Sequence, residues 1–409
     1  MTLRKTMLCT SLALAAGTAQ AVELEVTHWW TSGGEAAAVA TFEEAWNATG
    51  NTWVDGAIWG SGGVARPIIL SRILGGDPPA ATQLQHGRQA EDLIKAGLLL
   101  DLTDLAEEGN WRGLINPVSL LDSCTVDGRV YCVPVNIHSW QWMWVNKGAF
   151  ETIGVPTPTT WDEFVAAAPA LEEAGIIPLA MGQQPWQTAG AFNVMATAIA
   201  GVDAWSEVII NKNADVAAGP EYARVFEAAA NARALAAKSD VQEWNDATAM
   251  VIDGRAAAQI MGDWAQGEFQ VAGQTAGVDY ECLLGLGENE IISTGGDAFY
   301  FPINEDPEVT AAQKELAKLL ISPEVQVSFN LAKGSLPVRG DIDLSAANDC
   351  MKKGLEVLAA GAILPNDTQT LSNNTNARIE DLLLEFWSNP ALTAADAQAR
   401  YAAIIAEAD

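Results

Sequence analysis

The residues of this chain whose chemistry stands out are tryptophans beside polar side chains at Gly-rich turns. Trp29 and Trp30 follow Val22–Thr27, a run that alternates apolar and polar residues as a half-buried strand does. Two glycines and Glu35 then open a helical pattern. Trp covers the C–H face of a sugar ring, while amides, carboxylates and ammonium groups bond its hydroxyls. The 15 Trp against 5 Tyr favour this chemistry, although composition alone also fits a Trp-rich core.

Familiar catalytic and nucleotide-binding motifs are missing from the sequence. No GxSxG, HExxH, phosphate-loop or dinucleotide glycine pattern stands in a supporting context. With 3 His, and no Cys pair at zinc spacing, we expect no metal and no cofactor. The 52 acidic residues leave room for the carboxylate pair of a glycosidase. We predict a non-enzymatic binding protein, with an exported carbohydrate-active enzyme as the alternative.

The chain is strongly acidic. It carries 22 basic and 52 acidic residues, a formal charge of −30. That field repels nucleic acid and anionic lipid, and no basic run interleaved with aromatic residues offsets it. We therefore expect no nucleic-acid partner and no anionic ligand, and we attribute the acidity to solubility and not to a direct role in binding.

The N-terminus predicts a secretory signal peptide in residues 1–21. Arg4 and Lys5 precede the short apolar run Met7–Ala16, and Ala19-Gln20-Ala21 is a small-x-small cleavage site. The apolar run is too short to cross a membrane as a mature helix. We expect the mature chain to be exported to the periplasm.

Four Cys remain beyond the signal, which suits disulfides in an exported protein. Four Cys allow three connectivities. Asp127-Gly128 is a hairpin signal lying between Cys124 and Cys132. We predict the bridge Cys124–Cys132 across that hairpin and Cys282–Cys350 as the other.

Alternating strands and helices must position the chemically active residues. Strand patterns at Thr52–Val54 and Pro78–Gln85 follow the first strand, and helical patterns separate them. This βαβαβα order predicts a parallel sheet whose ligands bind at the carboxyl ends of the strands. Trp29 and Trp30 lie at one such end.

Farther along, the chain changes character. Trp140–Val145 reads as a strand with three Trp on one face, a stripe typical of a core. A strand at Ala256–Met261 leads to Trp264, and another at Ala298–Pro302 follows Asp297.

Five short stretches, taken together, resemble the extracytoplasmic sugar-binding proteins of ABC importers. The resemblance is closest to the glucose/mannose-binding branch of the cluster that includes maltose-binding protein, and it covers essentially the whole mature chain. Each stretch is weak alone, but their order and separation are specific. They are Thr27–Glu35, Pro78–Gln83, Val133–His138, Met261–Trp264 and Lys333–Arg339.

The resemblance implies an α/β, two-lobed periplasmic binding protein fold of type II. Each lobe would be a mixed, mostly parallel sheet flanked by helices, with several chain crossings at the hinge. The N-terminal lobe would comprise residues 22–134 plus 295–338, and the C-terminal lobe residues 135–294 plus 339–409. A monomer would deliver its sugar to the membrane permease subunits of an ABC importer.

The family's ligand contacts carry over onto matching positions of this chain. Trp29 and Trp30 match the aromatic pair that stacks the sugar, and Glu35 matches a hydroxyl acceptor. Asp297 and Lys333 match a charged pair that brackets adjacent hydroxyls. The other matching positions are Gln83, Gln85, Asn136, His138, Trp264 and Asn373.

Two positions depart from the family pattern. Relatives often carry His or Lys at Gln85, and the neighbouring His86 is an alternative contact. Asn373, in a predicted polar loop at Asn366–Asn376, stands where close relatives carry His. We expect glucose or mannose as the ligand, with a disaccharide or a glucosylglycerol-like osmolyte as the alternative.

Overall fold

The computed structural model describes residues 21–409, so the predicted signal peptide lies outside the described residues except for Ala21. Strands and helices alternate along most of this range. The strands are β1 (Glu23–His28), β2 (Thr52–Ala57), β3 (Ala81–Gln85), β4 (Thr125–Val126), β5 (Arg129–Val130), β6 (Cys132–Pro134), β7 (Trp142–Asn146), β8 (Ile177–Ala180), β9 (Ala256–Ile260), β10 (Tyr280–Leu284), β11 (Ile292–Ser293), β12 (Asp297–Tyr300) and β13 (Ile363–Leu364).

The helices flank the sheets, and a π-helical turn at Ala196–Ala200 extends one of them. The α-helices are α1 (Gly33–Asn47), α2 (Ser61–Leu74), α3 (Glu91–Lys95), α4 (Thr103–Glu108), α5 (Trp111–Leu114), α6 (Ser119–Ser123), α7 (Lys147–Ile153), α8 (Trp161–Glu173), α9 (Pro185–Met195), α10 (Val202–Ile209), α11 (Ala214–Ala217), α12 (Pro220–Leu235), α13 (Trp244–Ile252), α14 (Ala265–Val271), α15 (Pro307–Leu320), α16 (Pro323–Lys333), α17 (Asp349–Ala359), α18 (Asp367–Thr370), α19 (Asn373–Ser388) and α20 (Ala394–Ala406).

The first sheet has the order β2-β1-β3-β12-β6. β1 pairs in parallel with β2 and with β3, which confirms the predicted parallel order. β12 runs against its neighbours, and Asp297 at its start lies opposite Gln85 at the end of β3. One edge of the sheet therefore collects the carboxyl ends of β1 and β3 and the amino end of β12.

The second sheet has the order β10-β7-β9-β8, with β7 antiparallel to both of its neighbours. The chain leaves the first sheet after Pro134, builds the second sheet, and returns to the first at Asp297. The outgoing and returning segments are hydrogen-bonded to each other. Val135 N donates to Asp297 O at 3.0 Å, and His138 N donates to Gly295 O at 2.7 Å.

Aromatic packing fixes the helix that follows Trp30. Phe42 of α1 stacks on Phe329 of α16 with ring centroids 4.1 Å apart. A capping box starts α1, because Ser32 Oγ accepts from Glu35 N and the Glu35 carboxylate accepts from Ser32 N. The same carboxylate is thus placed where β1 meets α1.

Both predicted disulfides, Cys124–Cys132 and Cys282–Cys350, are confirmed. The predicted loop at Asn366–Asn376 is wrong, because α18 and the start of α19 occupy it, each capped by an Asn or Ser side chain at its entry. Within residues 21–409, no helix combines the length and the apolarity needed to span a bilayer.

Candidate functional site

A cavity of about 170 Å³ opens at the edge of the first sheet where β1 and β3 end and β12 begins. Both sheets supply its wall: Trp29 follows β1, Gln85 ends β3, Asp297 starts β12 and Trp264 follows β9. The predicted site residues on the wall are Trp29, Trp30, Glu35, Gln85, His138, Trp264, Asp297, Lys333 and Asn373. The structure therefore brings together residues that lie far apart in sequence.

Gln83 and Asn136 do not line the cavity, and this differs from the sequence-based expectation. Both are fully buried behind Asp297. Gln83 Nε2 donates to Asp297 Oδ1 at 2.8 Å, and Asn136 Nδ2 donates to Asp297 Oδ2 at 3.2 Å. The reason is strand geometry, since Gln83 lies two residues, or about 7 Å, inside the sheet edge that Gln85 reaches. His86 is also fully buried and off the wall.

His138 lies between two carboxylates. Its Nε2 is 2.8 Å from Asp297 Oδ2, and its Nδ1 is 2.7 Å from Asp263 Oδ1. Burial alone would lower the pKa of His138, but Asp297 and Asp263 outweigh it and raise the pKa to about 9. The imidazole is thus a cation at neutral pH that donates from both nitrogens.

Asp297 remains ionised in this setting. Burial alone would raise its pKa, but the charges of His138 and Lys333 lower it to about 2. Its oxygens accept from His138, Gln83 and Asn136. A carboxylate offers roughly four lone-pair positions. One acceptor position is left for a group in the cavity.

Lys333 and Glu35 form a second buried ion pair. Lys333 Nζ is 2.7 Å from Glu35 Oε1, and its side chain is 1% exposed. In the structure Lys333 bonds Glu35, whereas Asp297 bonds His138. An ammonium has three donors. Among residues 21–409, Glu35 is the hydrogen-bond partner of Lys333 Nζ, and it accepts from one of them. Two donors stay available on the cavity wall.

Six Trp line the cavity, three more than the sequence suggested. Trp140, Trp186 and Trp264 form one cluster, with centroid separations of 4.9 to 6.2 Å. Trp140 was expected in the core, but β7 begins only at Trp142, so Trp140 precedes the strand and joins the wall. The other additions are Trp186 and Trp244.

Two glycines make room for this cluster. A Cβ at Gly190 would lie 2.2 Å from the Trp140 ring, and one at Gly262 would lie 2.1 Å from the Trp264 ring. Gly262 lies two residues before Trp264 in the sequence, and the lack of a side chain there leaves room for the Trp264 ring. Nothing in the spacing marks Trp186 or Trp244.

Trp30 belongs mainly to the core. It is 2% exposed, and its ring packs on Phe329 and Phe299 at 5.4 and 5.8 Å. Lys333 Nζ lies 5.6 Å from its ring centroid, a cation–π contact at the cavity wall. Trp29 is only partly buried and lies against Gly62 at the start of α2.

The His charges give a first test. We expect His138 to stay protonated up to about pH 9, whereas burial lowers the pKa of His86 to about 4. Because the folded pKa of His138 exceeds the ordinary 6.5, its contribution to stability is complete below pH 6.5 and is lost as pH rises through 9. Imidazole ¹⁵N NMR between pH 4 and 10 measures both. A His138 resonance that titrates near pH 6.5 would contradict the buried arrangement of His138 between Asp263 and Asp297.

Among residues 21–409, no group of three or more His, Cys, Asp and Glu side chains is arranged to hold a metal ion. The wall instead combines aromatic faces with polar groups, such as Asp297 and Lys333, that still have donor or acceptor positions free for a ligand. Chemically, it can bind a small ring bearing hydroxyls, through stacking and charge-assisted hydrogen bonds.

Residues 30–327 match the family model for bacterial extracellular solute-binding proteins. The chain belongs to that family. A probable sugar-binding periplasmic protein of Rhizobium meliloti (strain 1021) is 34% identical over 396 residues, covering 95% of this chain and 92% of the relative. As a member of a solute-binding family, the protein is a binding protein and not an enzyme.

Solved structures of the family share the fold. The solute receptor AcbH, reported to prefer β-D-galactopyranose exclusively, matches with a TM-score of 0.77 at 18% identity, covering 93% of this chain and 97% of its own. Maltose-bound T. maritima MalE3 matches with a TM-score of 0.75 at 20% identity, covering 94% and 99%. These similarities confirm the predicted two-lobed, type II α/β fold.

Proposed function

We propose that this protein is a periplasmic solute-binding protein that captures a neutral monosaccharide, glucose or mannose. It would deliver the sugar to the permease subunits of an ABC importer, as a monomer exported by the signal peptide in residues 1–21. The relative from Rhizobium meliloti, named as a probable sugar-binding periplasmic protein, supports the sugar class. Of the two solved structures, AcbH is reported to prefer a monosaccharide and MalE3 is bound to maltose, so the ligand's size must come from this chain's own cavity.

The observation that carries the proposal is a cavity of about 170 Å³ with six Trp and two buried ion pairs on its wall. A cavity of about 150 Å³ is known to hold a benzene ring. We therefore propose one pyranose as the occupant, with a disaccharide or a glycosyl osmolyte as the alternative. Spare acceptor and donor positions on Asp297 and Lys333 would bond ring hydroxyls.

The ligand contacts that we propose are the nine predicted residues on the wall. The lobes would comprise residues 22–134 plus 295–338 and residues 135–294 plus 339–409, consistent with the chain's passage between the two sheets. Contacts made to both lobes at once would drive closure over the sugar. Closure excludes water, and this strengthens the charge-assisted bonds.

Isothermal calorimetry with glucose, mannose, galactose, xylose, maltose and glucosylglycerol tests the proposal. We expect binding heat from glucose or mannose at tens of micromolar protein. Heat from maltose or glucosylglycerol alone would show that the ligand is larger. No heat from any of the six would rule out the proposed ligand class.

The two neighbouring Trp should respond differently to truncation. Trp29→Ala should weaken sugar binding by about 2 kcal/mol, the scale of an interface hot spot, with little change in stability. Trp30→Ala should cost about 3–5 kcal/mol of unfolding free energy, because it removes a ring from a packed aromatic core. Calorimetry and urea unfolding of both variants measure this. Equal effects on stability would contradict the assignment of Trp30 to the core.

A further inference from the structure

Two charged side chains on the cavity wall stand apart from the ion pairs described above. Arg66 projects from α2, which packs on β3 of the first sheet, and Glu380 projects from α19, which packs on α9 and α20. Arg66 Nε donates to Gly62 O at 3.0 Å. Its terminal nitrogens have no hydrogen-bond partner within residues 21–409, and the Glu380 carboxylate has neither a hydrogen bond nor an ion pair there.

This lack of partners contrasts with the rest of the wall. Glu35, Lys333, His138 and Asp297 are all ion-paired at 2.7–2.8 Å. Arg66 and Glu380 are each only partly buried, so water reaches both groups in the free protein. A ligand that displaces this water must replace its hydrogen bonds, because a charged group that loses water is costly unless it is bonded.

The charges around Glu380 form a cluster separate from the one at Asp297. Burial raises the pKa of Glu380 to about 7; Arg66 opposes the rise, and Asp367 and Asp381 add to it. The charges that act on Asp297 are instead those of His138 and Lys333. The cavity wall thus carries two sets of charged residues, and neither set supplies the charges that act on the other.

Arg66 and Glu380 carry opposite charges but do not bond each other, and this indicates which kind of ligand group could lie between them. An anionic ligand would meet Glu380 and Asp367, and a cationic ligand would meet Arg66. A pair of hydroxyls suits both sides, because the guanidinium donates to hydroxyl oxygens and the carboxyl group accepts from a hydroxyl.

We propose that Arg66 and Glu380 are specificity-determining residues that bind free hydroxyls at the end of the sugar remote from Asp297. This rests on the proposed function and deepens it. The ligand is an uncharged sugar with unsubstituted hydroxyls at both ends, so amino sugars, uronic acids and sugar phosphates are excluded. Because the two residues come from different halves, the ligand also bridges them.

Calorimetry of Arg66→Ala and Glu380→Ala with the hexose that binds the unmodified protein tests the inference. Each variant should bind at least tenfold more weakly. Asp381→Ala is the matched control, since it removes a carboxylate from the next position of α19 that is exposed and off the wall. It should bind within about twofold of the unmodified protein.

Monodeoxy derivatives of the same hexose distinguish contact from an indirect effect. For one deoxy position, the unmodified protein and the Glu380→Ala variant should bind equally, because the hydroxyl that Glu380 contacts is absent. An equal loss for every deoxy sugar would overturn the inference, as would unchanged hexose affinity in both variants or tight binding of glucuronic acid. If the unmodified protein binds no hexose, the proposed function fails first, before any variant is made.

Discussion

Asp297→Asn is expected to reduce sugar affinity at least about 30-fold, or about 2 kcal/mol. The substitution keeps the shape of the side chain but removes the charge that binds His138 and replaces one acceptor oxygen on the cavity wall by an amide donor. It should also lower the unfolding free energy by about 3 kcal/mol, because it removes one of the two carboxylates that stabilise the buried His138 cation. Calorimetry gives the affinity, and urea unfolding without sugar gives the stability.

Asp263→Asn provides the matched control for this result. Asp263 is also buried and also bonds His138, but it does not line the cavity. We expect a similar loss of stability with only a few-fold loss of affinity. If the two variants lose affinity equally, the effect of Asp297 comes through His138 and not through a contact with the sugar.

Gly34→Ala is expected to weaken sugar binding at least tenfold and to lower the melting temperature. A Cβ at Gly34 would lie 2.4 Å from the carbonyl carbon of Gly267 and 2.8 Å from the nitrogen of Glu268. Both are backbone atoms, so α1 and α14 must separate. Because Glu35 is the next residue, this shift would also displace its ion pair with Lys333.

Gly33→Ala is the control for Gly34→Ala, because it adds the same methyl group at a position where α1 does not approach the α14 backbone closely. Its Cβ would meet only the Glu268 and Val271 side chains, at 3.5 and 3.6 Å, which is ordinary contact. Both substitutions gain the same helix propensity, up to about 1 kcal/mol. Gly33→Ala should therefore bind within about twofold of the unmodified protein. Calorimetry and thermal unfolding decide, and equal behaviour of the two variants would refute the role assigned to Gly34.

Local patterns were enough to predict the first part of the site. Alternation along β1 and the helical pattern that Gly33, Gly34 and Glu35 open place Trp29 and Glu35 at the carboxyl edge of a parallel sheet, and the structure has them there. The strand pattern and the start of the helix each depend on residues close together in the sequence, so the local sequence suffices to predict them.

The remaining wall depends on contacts distant in sequence. Trp140, Trp186 and Trp244 have the same local signature as core tryptophans, and only packing between α9, α13 and the segment before β7 brings them to a cavity. Similarly, no periodicity separates Gln83 from Gln85, although one supports Asp297 from behind and the other reaches the wall. Depth from the sheet edge decides their roles, and the sequence pattern does not report depth.

The hydrogen-bonded pair of crossing segments has a mechanical consequence. Val135 and His138 on one segment are tied to Asp297 and Gly295 on the other. Two segments joined in this way cannot slide along each other without breaking these hydrogen bonds, whereas they can bend together. Bending of the two segments is therefore a relative motion of the two halves that keeps the hydrogen bonds intact. Asp297 lies in one of these two segments and also on the cavity wall. A ligand that binds its carboxylate therefore acts directly on the segments at which the two halves would bend.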